Sequence, residues 1–147
     1  MVKKTILYIF IYTLLVGCNT RNPLNSECES NCYLNIEASE LQVDDNGYYH
    51  IEWLDGYSQT FSTLNAITGL EQAIVKVYWN SDSGIEHGGY WVSSVNHASY
   101  TNGGVAHTVL SAWEEQIGDT LTIYAWYRDN CDTEHIDSMK VVVDNEI

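Results

Sequence analysis

Hydrophobic and polar residues alternate in short runs along most of the chain, from residue 27 onward. Leu34, Ile36 and Ala38 are separated by polar neighbours. Because successive side chains of a β-strand point to opposite faces, this pattern predicts a half-buried strand. An apolar period of 3.6 residues is not sustained over a helix-length window, so no long amphipathic helix is indicated. Further runs of strand character follow at 49–53, 73–79, 90–95, 105–112, 120–126 and 139–143.

Turn-forming residues separate these runs. The chain contains ten glycines but one proline, so its turns depend on Gly, Asn, Asp and Ser. Asn46-Gly47 and Asn102-Gly103-Gly104 are typical of tight hairpin turns, since Asn and Gly readily adopt positive φ. Short strands at this spacing predict an all-β fold, an antiparallel Greek-key β-sandwich of about seven or eight strands.

The segment from about Tyr33 to Asp144 resembles the immunoglobulin-like and fibronectin type III-like modules of bacterial surface proteins. The residues that carry the resemblance lie at 51–53, 75–79 and 118–126. It implies an immunoglobulin-like sandwich, although the Cys…Trp…Cys framework of true immunoglobulin domains is absent. We assign residues 31–147 to this domain.

The first residues have the layout of a bacterial export signal. Lys3 and Lys4 precede an uncharged apolar run that ends at Gly17, as in the charged, apolar and cleavage regions of a signal peptide. As a helix at about 1.5 Å per residue this run would be roughly 20 Å long, whereas a spanning helix must cross about 30 Å of hydrocarbon. The segment is therefore predicted to direct export rather than to span a membrane.

The sequence Leu15-Val16-Gly17-Cys18 resembles the lipobox of bacterial lipoproteins. The resemblance implies removal of residues 1–17, a diacylglycerol on Cys18 and further acylation of the new N-terminus, for example by palmitate. Residues 18–30 would form a lipidated, polar tether, and two or three acyl chains would hold it firmly in a membrane. Asn19 after the cysteine favours the outer membrane, by resemblance to enterobacterial sorting. The predicted location is the bacterial cell envelope, and no cofactor is predicted besides the covalent lipid. The alternative is a soluble secreted protein that is cleaved elsewhere.

The chain is strongly acidic. Its formal net charge is −14, with 20 Asp and Glu residues against 6 Lys and Arg. Removal of Lys3 and Lys4 with the signal would make it more acidic still. Nucleic-acid binding requires a positive surface, so a nucleic-acid partner is not expected. High net charge also keeps an exported domain soluble.

Lipidation of Cys18 would leave three cysteines, Cys28, Cys32 and Cys131. Disulfides persist outside the cytoplasm, and a bridge that closes a long loop constrains the unfolded chain most. We therefore predict that Cys131 pairs with Cys28 or Cys32. The alternative is a zinc site formed by these three thiols and His135, although the spacing is looser than in common zinc knuckles.

Acidic turns offer a second candidate for metal binding. Asp129, Asp132, Glu134 and Asp137 lie close together in sequence, and carboxylate oxygens are the ligands that Ca²⁺ prefers. The spacing does not match an EF-hand, and solvated turn residues are the alternative.

Motifs of common enzymes are absent from the sequence. It has no Gly-x-Ser-x-Gly elbow, no His-Glu-x-x-His helix and no phosphate-binding Gly-x-x-x-x-Gly-Lys loop. Glu114-Glu115 offers a pair of carboxylates, but adjacent residues rarely face each other across one glycosidic bond. The sequence therefore does not predict an enzyme and identifies no catalytic residue.

Aromatic residues are the clearest candidates for function. The chain has five Trp and eleven Tyr. If Leu121 and Ile123 point inward, strand alternation places Tyr124 and Trp126 outside, and Tyr78 on the corresponding face of its own strand. Exposed rings flanked by hydroxyls suit a sugar or a protein partner. We therefore predict a non-enzymatic, membrane-anchored binding or adhesion module; the alternatives are a small envelope glycan hydrolase and a structural subunit of an envelope complex.

Overall fold

A computed structural model describes residues 32–71, 73–87 and 89–145 of the protein. These residues form eleven β-strands and one short 3-10 turn at Glu114–Gln116. The strands are β1 (Leu34–Glu37), β2 (Gln42–Val43), β3 (Tyr49–Trp53), β4 (Gln59–Thr68), β5 (Lys76–Ser81), β6 (Gly84–His87), β7 (Tyr90–Ser93), β8 (Ala98–Tyr100), β9 (Val105–Trp113), β10 (Thr120–Arg128) and β11 (Glu134–Asn145).

Two main sheets pack together as a sandwich. One sheet has three strands in the order β1-β4-β9, and the other has six in the order β2-β3-β11-β10-β5-β8. Strands β6 and β7 form a separate two-stranded hairpin. The predicted all-β fold of two packed sheets is confirmed.

The core lies between the two sheets and is formed by alternate residues of their strands. On β10, Leu121, Ile123 and Ala125 are completely buried. They face a layer from the other sheet that includes Leu64 and Leu110. Burying each large aliphatic side chain contributes about 1.5–3 kcal/mol, so this layer fixes which face of each strand points outward.

The structure differs from the predicted sandwich in three respects. The described residues form eleven strands rather than about seven or eight. Strand β4, ten residues long, was not predicted. Its inward positions include the polar residues Ser62 and Thr68 and its outward positions include the apolar Phe61 and Ile67, so the alternation in its sequence is blurred. Strand β3 also pairs with β11 in parallel, whereas an antiparallel sandwich was predicted. These two strands are far apart in sequence, and no tight turn sets their direction.

The predicted export signal, the lipidated Cys18, the tether at residues 18–30 and Cys28 lie outside the described residues. Within the described part of the chain, none of the helical structure is long and apolar enough to cross a membrane.

Candidate functional site

The three predicted binding residues lie together on the outer face of the six-stranded sheet. Trp126 on β10 is the direct cross-strand partner of Tyr78 on β5. Their rings stack with centroids 5.6 Å apart and planes inclined by 17°. Tyr124 follows on the same face of β10 and is 38% exposed, and Tyr78 is 39% exposed. The structure thus brings the three residues onto one face, and a binding role for that face stays a prediction.

Four residues form one row across this face, which we call the aromatic row: Ala98, Tyr78, Trp126 and Ile136. Within the row the ring faces already make contacts inside the protein. Trp126 covers one side of Tyr78, and the Lys76 ammonium lies over the Tyr78 ring, 4.7 Å from its centroid. At Tyr78 a partner would therefore meet the ring edge and the phenol hydroxyl rather than an open ring face.

Positive charge is also concentrated on this face. The Lys and Arg residues of the described chain are Lys76, Arg128 and Lys140, and strand alternation places all three on the outer face of the six-stranded sheet. Arg128 pairs with Asp132 at 3.2 Å and with Glu134 at 3.4 Å, and the two carboxylates raise the pKa of its guanidinium.

The two lysines have aromatic rather than acidic neighbours. Lys140 lies 5.1 Å from the centroid of the Tyr48 ring, as Lys76 lies over Tyr78. Among the described residues, neither lysine forms an ion pair with a carboxylate. The ammonium groups of Lys76 and Lys140 are therefore the part of this face best suited to a negatively charged partner group, while Glu52, Glu134 and Asp144 lie on the same face.

A histidine is held between two carboxylates beside this face. His50 Nδ1 lies 2.7 Å from Asp144 Oδ2, and His50 Nε2 lies 3.6 Å from Asp44 Oδ2. The hydrogen bond with Asp144 is the main cause of the raised pKa of His50. The backbone N–H groups of Asn46 and Tyr48 donate to Asp44, and the pKa of Asp44 is lowered, chiefly by the Tyr48 bond.

His50 lines a cavity of about 590 Å³ at the edge of the sandwich. The cavity lies between the segment 40–44, strand β3 and the start of β4, and its acidic residues are Glu40, Asp44, Glu52 and Asp144. Asp144 on β11 and Asp44 in the 44–48 turn both contact His50 on β3, so these contacts join β3 to the two neighbouring segments. The structure thus supports a stabilising role for this histidine.

The predicted calcium ligands do not converge on one point. Asp129 Oδ1 accepts hydrogen bonds from the backbone N–H groups of Cys131 and Thr133, Asp132 and Glu134 pair with Arg128, and Asp137 accepts a 2.7 Å bond from the backbone N–H of Ile36. Each of the four carboxylates therefore has a partner within the protein, and Asp132 and Glu134 share theirs, Arg128.

Asp129 is the carboxylate that organises this turn. His135 Nε2 lies 2.9 Å from Asp129 Oδ2, and the His135 ring stacks on the buried Tyr127 ring. Burial acts to raise the pKa of Asp129, but the hydrogen bonds from His135 and from the backbone outweigh it, so the pKa is lowered. Burial also raises the pKa of Tyr127 to about 12.

The predicted zinc ligands are brought together only in part. Within the described ranges, the ligand atoms of Cys32, Asp129 and His135 lie within 4.8 Å of one another. Cys131 is not a member of that group, and none of the described cysteines is free. Cysteine binds zinc as a free thiolate, so cysteines that are not free do not favour the predicted zinc site. Pairing of Cys131 with Cys28 or Cys32 stays a prediction.

The most exposed aromatic residues lie elsewhere, on the β6–β7 hairpin. Trp91 is 66% exposed, and Tyr90 and Val92 are also exposed. Strand alternation in the sequence marks 90–95 as a strand but does not show that its residues extend beyond the sandwich. The sequence feature that indicates this hairpin is His87-Gly88-Gly89-Tyr90, whose glycine pair is typical of a tight hairpin turn.

A second cavity, of about 490 Å³, lies between this hairpin and the ends of β4 and β9. Ile85 and Val92 line it from the hairpin, and Trp113, Glu114 and Glu115 line it from the body. Both glutamates are exposed and follow one another in a single 3-10 turn, so this geometry does not favour a glycosidase pair facing one bond.

In comparisons with known proteins, neither a family model nor a curated protein matches the chain.

Proposed function

We propose that the protein is a lipid-anchored binding module of the bacterial cell envelope, with an immunoglobulin-like sandwich that binds a partner protein without catalysing a reaction. The outer face of the six-stranded sheet would be the binding surface. The observation that carries the proposal is the aromatic row with Tyr124 beside it, flanked by two lysines that have no acidic partner among the described residues.

The geometry of the rings favours a protein over a sugar at this face. A sugar stacks on an open ring face, whereas Tyr78 and Trp126 stack on each other. Ring edges, hydroxyls and a partly exposed aliphatic residue such as Ile136 suit the mixed contacts of a protein interface, where aromatic residues are enriched. Lys76 and Lys140 add complementarity to an acidic partner surface.

The placement of the N-terminal end is compatible with a membrane anchor. Tyr33 accepts a hydrogen bond from the Tyr127 hydroxyl, so the described chain starts near the end of β10. Residues 19–31, if extended, would reach at most about 45 Å. The domain would then stay close to the membrane that holds Cys18.

The anchor is tested by Cys18→Ala in the full-length protein. We expect the variant to remain unlipidated and to leave the membrane fraction or accumulate as precursor, measured by fractionation and mass spectrometry. Normal lipidated mass and membrane retention in the variant would contradict the anchor.

The binding face is tested by affinity purification from detergent-solubilised envelopes. Tyr124→Asp places a negative charge beside the aromatic row, and Val109→Asp is the matched control on the outer face of the three-stranded sheet, where Val109 is 41% exposed. We expect the wild type and Val109→Asp to retain the same partner protein and Tyr124→Asp to lose it. An unchanged set of retained proteins in Tyr124→Asp would refute this face as the site.

A further inference from the structure

The β6–β7 hairpin holds a tryptophan in a fixed, open position. The Trp91 indole packs against Gly84 of the neighbouring strand. A Cβ on residue 84 would collide with the backbone carbonyl oxygen of Val92, and it would also lie 2.9 Å from Cε2 and Cζ2 of the Trp91 ring, closer than van der Waals contact allows. Glycine therefore lets the indole lie against the backbone, while the ring as a whole remains two-thirds exposed.

The base of the hairpin is attached firmly to the sandwich. Gln116 is buried, and its Nε2 donates to Ser83 Oγ at 2.8 Å and to Ser94 Oγ at 3.2 Å. Ser94 N–H also donates to the Ser83 carbonyl at 3.3 Å. Because both ends of the hairpin are tied to one buried amide, the position of Trp91 is set by the fold before any ligand binds.

The groups beside the indole are hydrogen-bonding and acidic. Glu86 is the direct cross-strand partner of Trp91, and Ser93 is the partner of Gly84, so all four lie on one face of the hairpin. Glu86 is exposed. An open indole face next to a carboxylate matches a sugar ring, whose C–H face packs on the indole while its hydroxyls donate to the carboxylate.

Charge restricts the kind of sugar. Residues 84–93 contain no lysine or arginine, and the three cationic side chains of the described chain lie on the outer face of the six-stranded sheet. An acidic sugar next to Glu86 would meet repulsion with no cation to offset it. A neutral sugar would not.

We propose that Trp91, with Glu86 and Ser93, forms a binding site for a neutral saccharide, separate from the surface proposed for the protein partner. The hairpin follows Asp82, whose backbone N–H donates to the Thr122 carbonyl near the start of β10, whereas the described N-terminus contacts Tyr127 near the end of β10. Strand β10 runs about 27 Å from Thr120 to Arg128 at roughly 3.4 Å per residue, so the saccharide site would face away from the membrane anchor.

The test is titration of the folded domain with soluble hexaoses. Neutral β-1,4-linked glucose and N-acetylglucosamine hexamers are compared with an acidic galacturonic acid hexamer. Each is added up to about 10 mM, because a site with one aromatic ring is expected to bind weakly. Binding is followed by calorimetry and by tryptophan fluorescence. We expect at least one neutral hexamer to bind and the acidic hexamer to bind at least tenfold more weakly.

Variants locate the site. Trp91→Ala should weaken binding at least tenfold, and Trp91→Phe should retain part of it. Tyr124→Ala on the outer sheet face should bind like the wild type. Thermal unfolding checks that each variant is folded, and Trp91→Ala should fold because its side chain is largely exposed.

Three results would overturn the saccharide site. They are no binding of either neutral hexamer to the wild type, equal affinity of Trp91→Ala and the wild type, and equal affinity for the acidic and neutral hexamers. Since Tyr124→Asp tests the protein-binding face in a different assay, failure of either proposal can be recognised without the other.

Discussion

Stacking of Tyr78 on Trp126 should appear as a measurable coupling energy. We expect the single changes Tyr78→Leu and Trp126→Leu each to destabilise the domain, and the double change to cost less than their sum. The leucines keep apolar side chains on the strands but remove the ring-to-ring contact.

The size of the coupling follows from the geometry. Aromatic pairs with centroids 4.5–7 Å apart contribute about 0.5–1.5 kcal/mol beyond their buried area, and this pair lies at 5.6 Å with nearly parallel planes. We therefore expect a coupling of about 1 kcal/mol. Lys76 over the Tyr78 ring adds about 0.5–1 kcal/mol to the single Tyr78 change at an exposed site, and this part cancels in the double-mutant cycle.

The assay is urea unfolding of the wild type, the two single variants and the double variant. A cycle between Tyr78 and Phe61, which lie on opposite sheets, is the control and should be additive within about 0.3–0.5 kcal/mol. A coupling for Tyr78 and Trp126 no larger than that of the control would refute the reasoning. The ring faces would then be free, and the main reason for preferring a protein partner at this face would be lost.

Three further predictions test the fold. Leu64→Ala removes a fully buried side chain and should cost about 3 kcal/mol of unfolding free energy. Phe61→Ala, on the outward side of the same strand, should cost less than about 1 kcal/mol. Equal losses of stability in urea unfolding would contradict the packing. The raised pKa of His50 gives stability that is present below its ordinary pKa and is lost as pH rises through the raised value. His50→Gln should therefore cost up to about 1 kcal/mol of unfolding free energy at pH 5.5 and less at pH 8.5. Asp144→Asn should remove this pH dependence of stability, and a loss that is the same at both pH values would contradict the reasoning. Cys131→Ser should cost about 2–4 kcal/mol and abolish a disulfide-linked peptide in a non-reducing digest, and unchanged stability would contradict the predicted bridge.

Strand alternation predicted which aromatic side chains point outward, because burial of the apolar residues determines the orientation of each strand. Once Leu121 and Ile123 are assigned to the core, the positions of Tyr124 and Trp126 follow. The register that stacks Trp126 on Tyr78 could not be predicted, because 38 residues lie between β5 and β10 and no turn fixes their alignment.

Trp91 could not be predicted as the most open tryptophan for a different reason. Alternation shows which residues share a face but not whether another layer covers that face. The β6–β7 hairpin lies outside both main sheets, so one of its faces stays open. The contact with Gly84 requires two strands in register and is not visible in either strand alone.

The proposed protein-binding face is tested most directly by a photo-crosslinking amino acid in the membrane-anchored protein. One variant carries it at Tyr124 and a second at Val109, positions of similar exposure on the outer faces of the two sheets. We predict a discrete crosslinked product with one envelope protein from position 124 and none from position 109. Equal products from both positions, or none from position 124, would contradict the proposal that the outer face of the six-stranded sheet binds a partner protein.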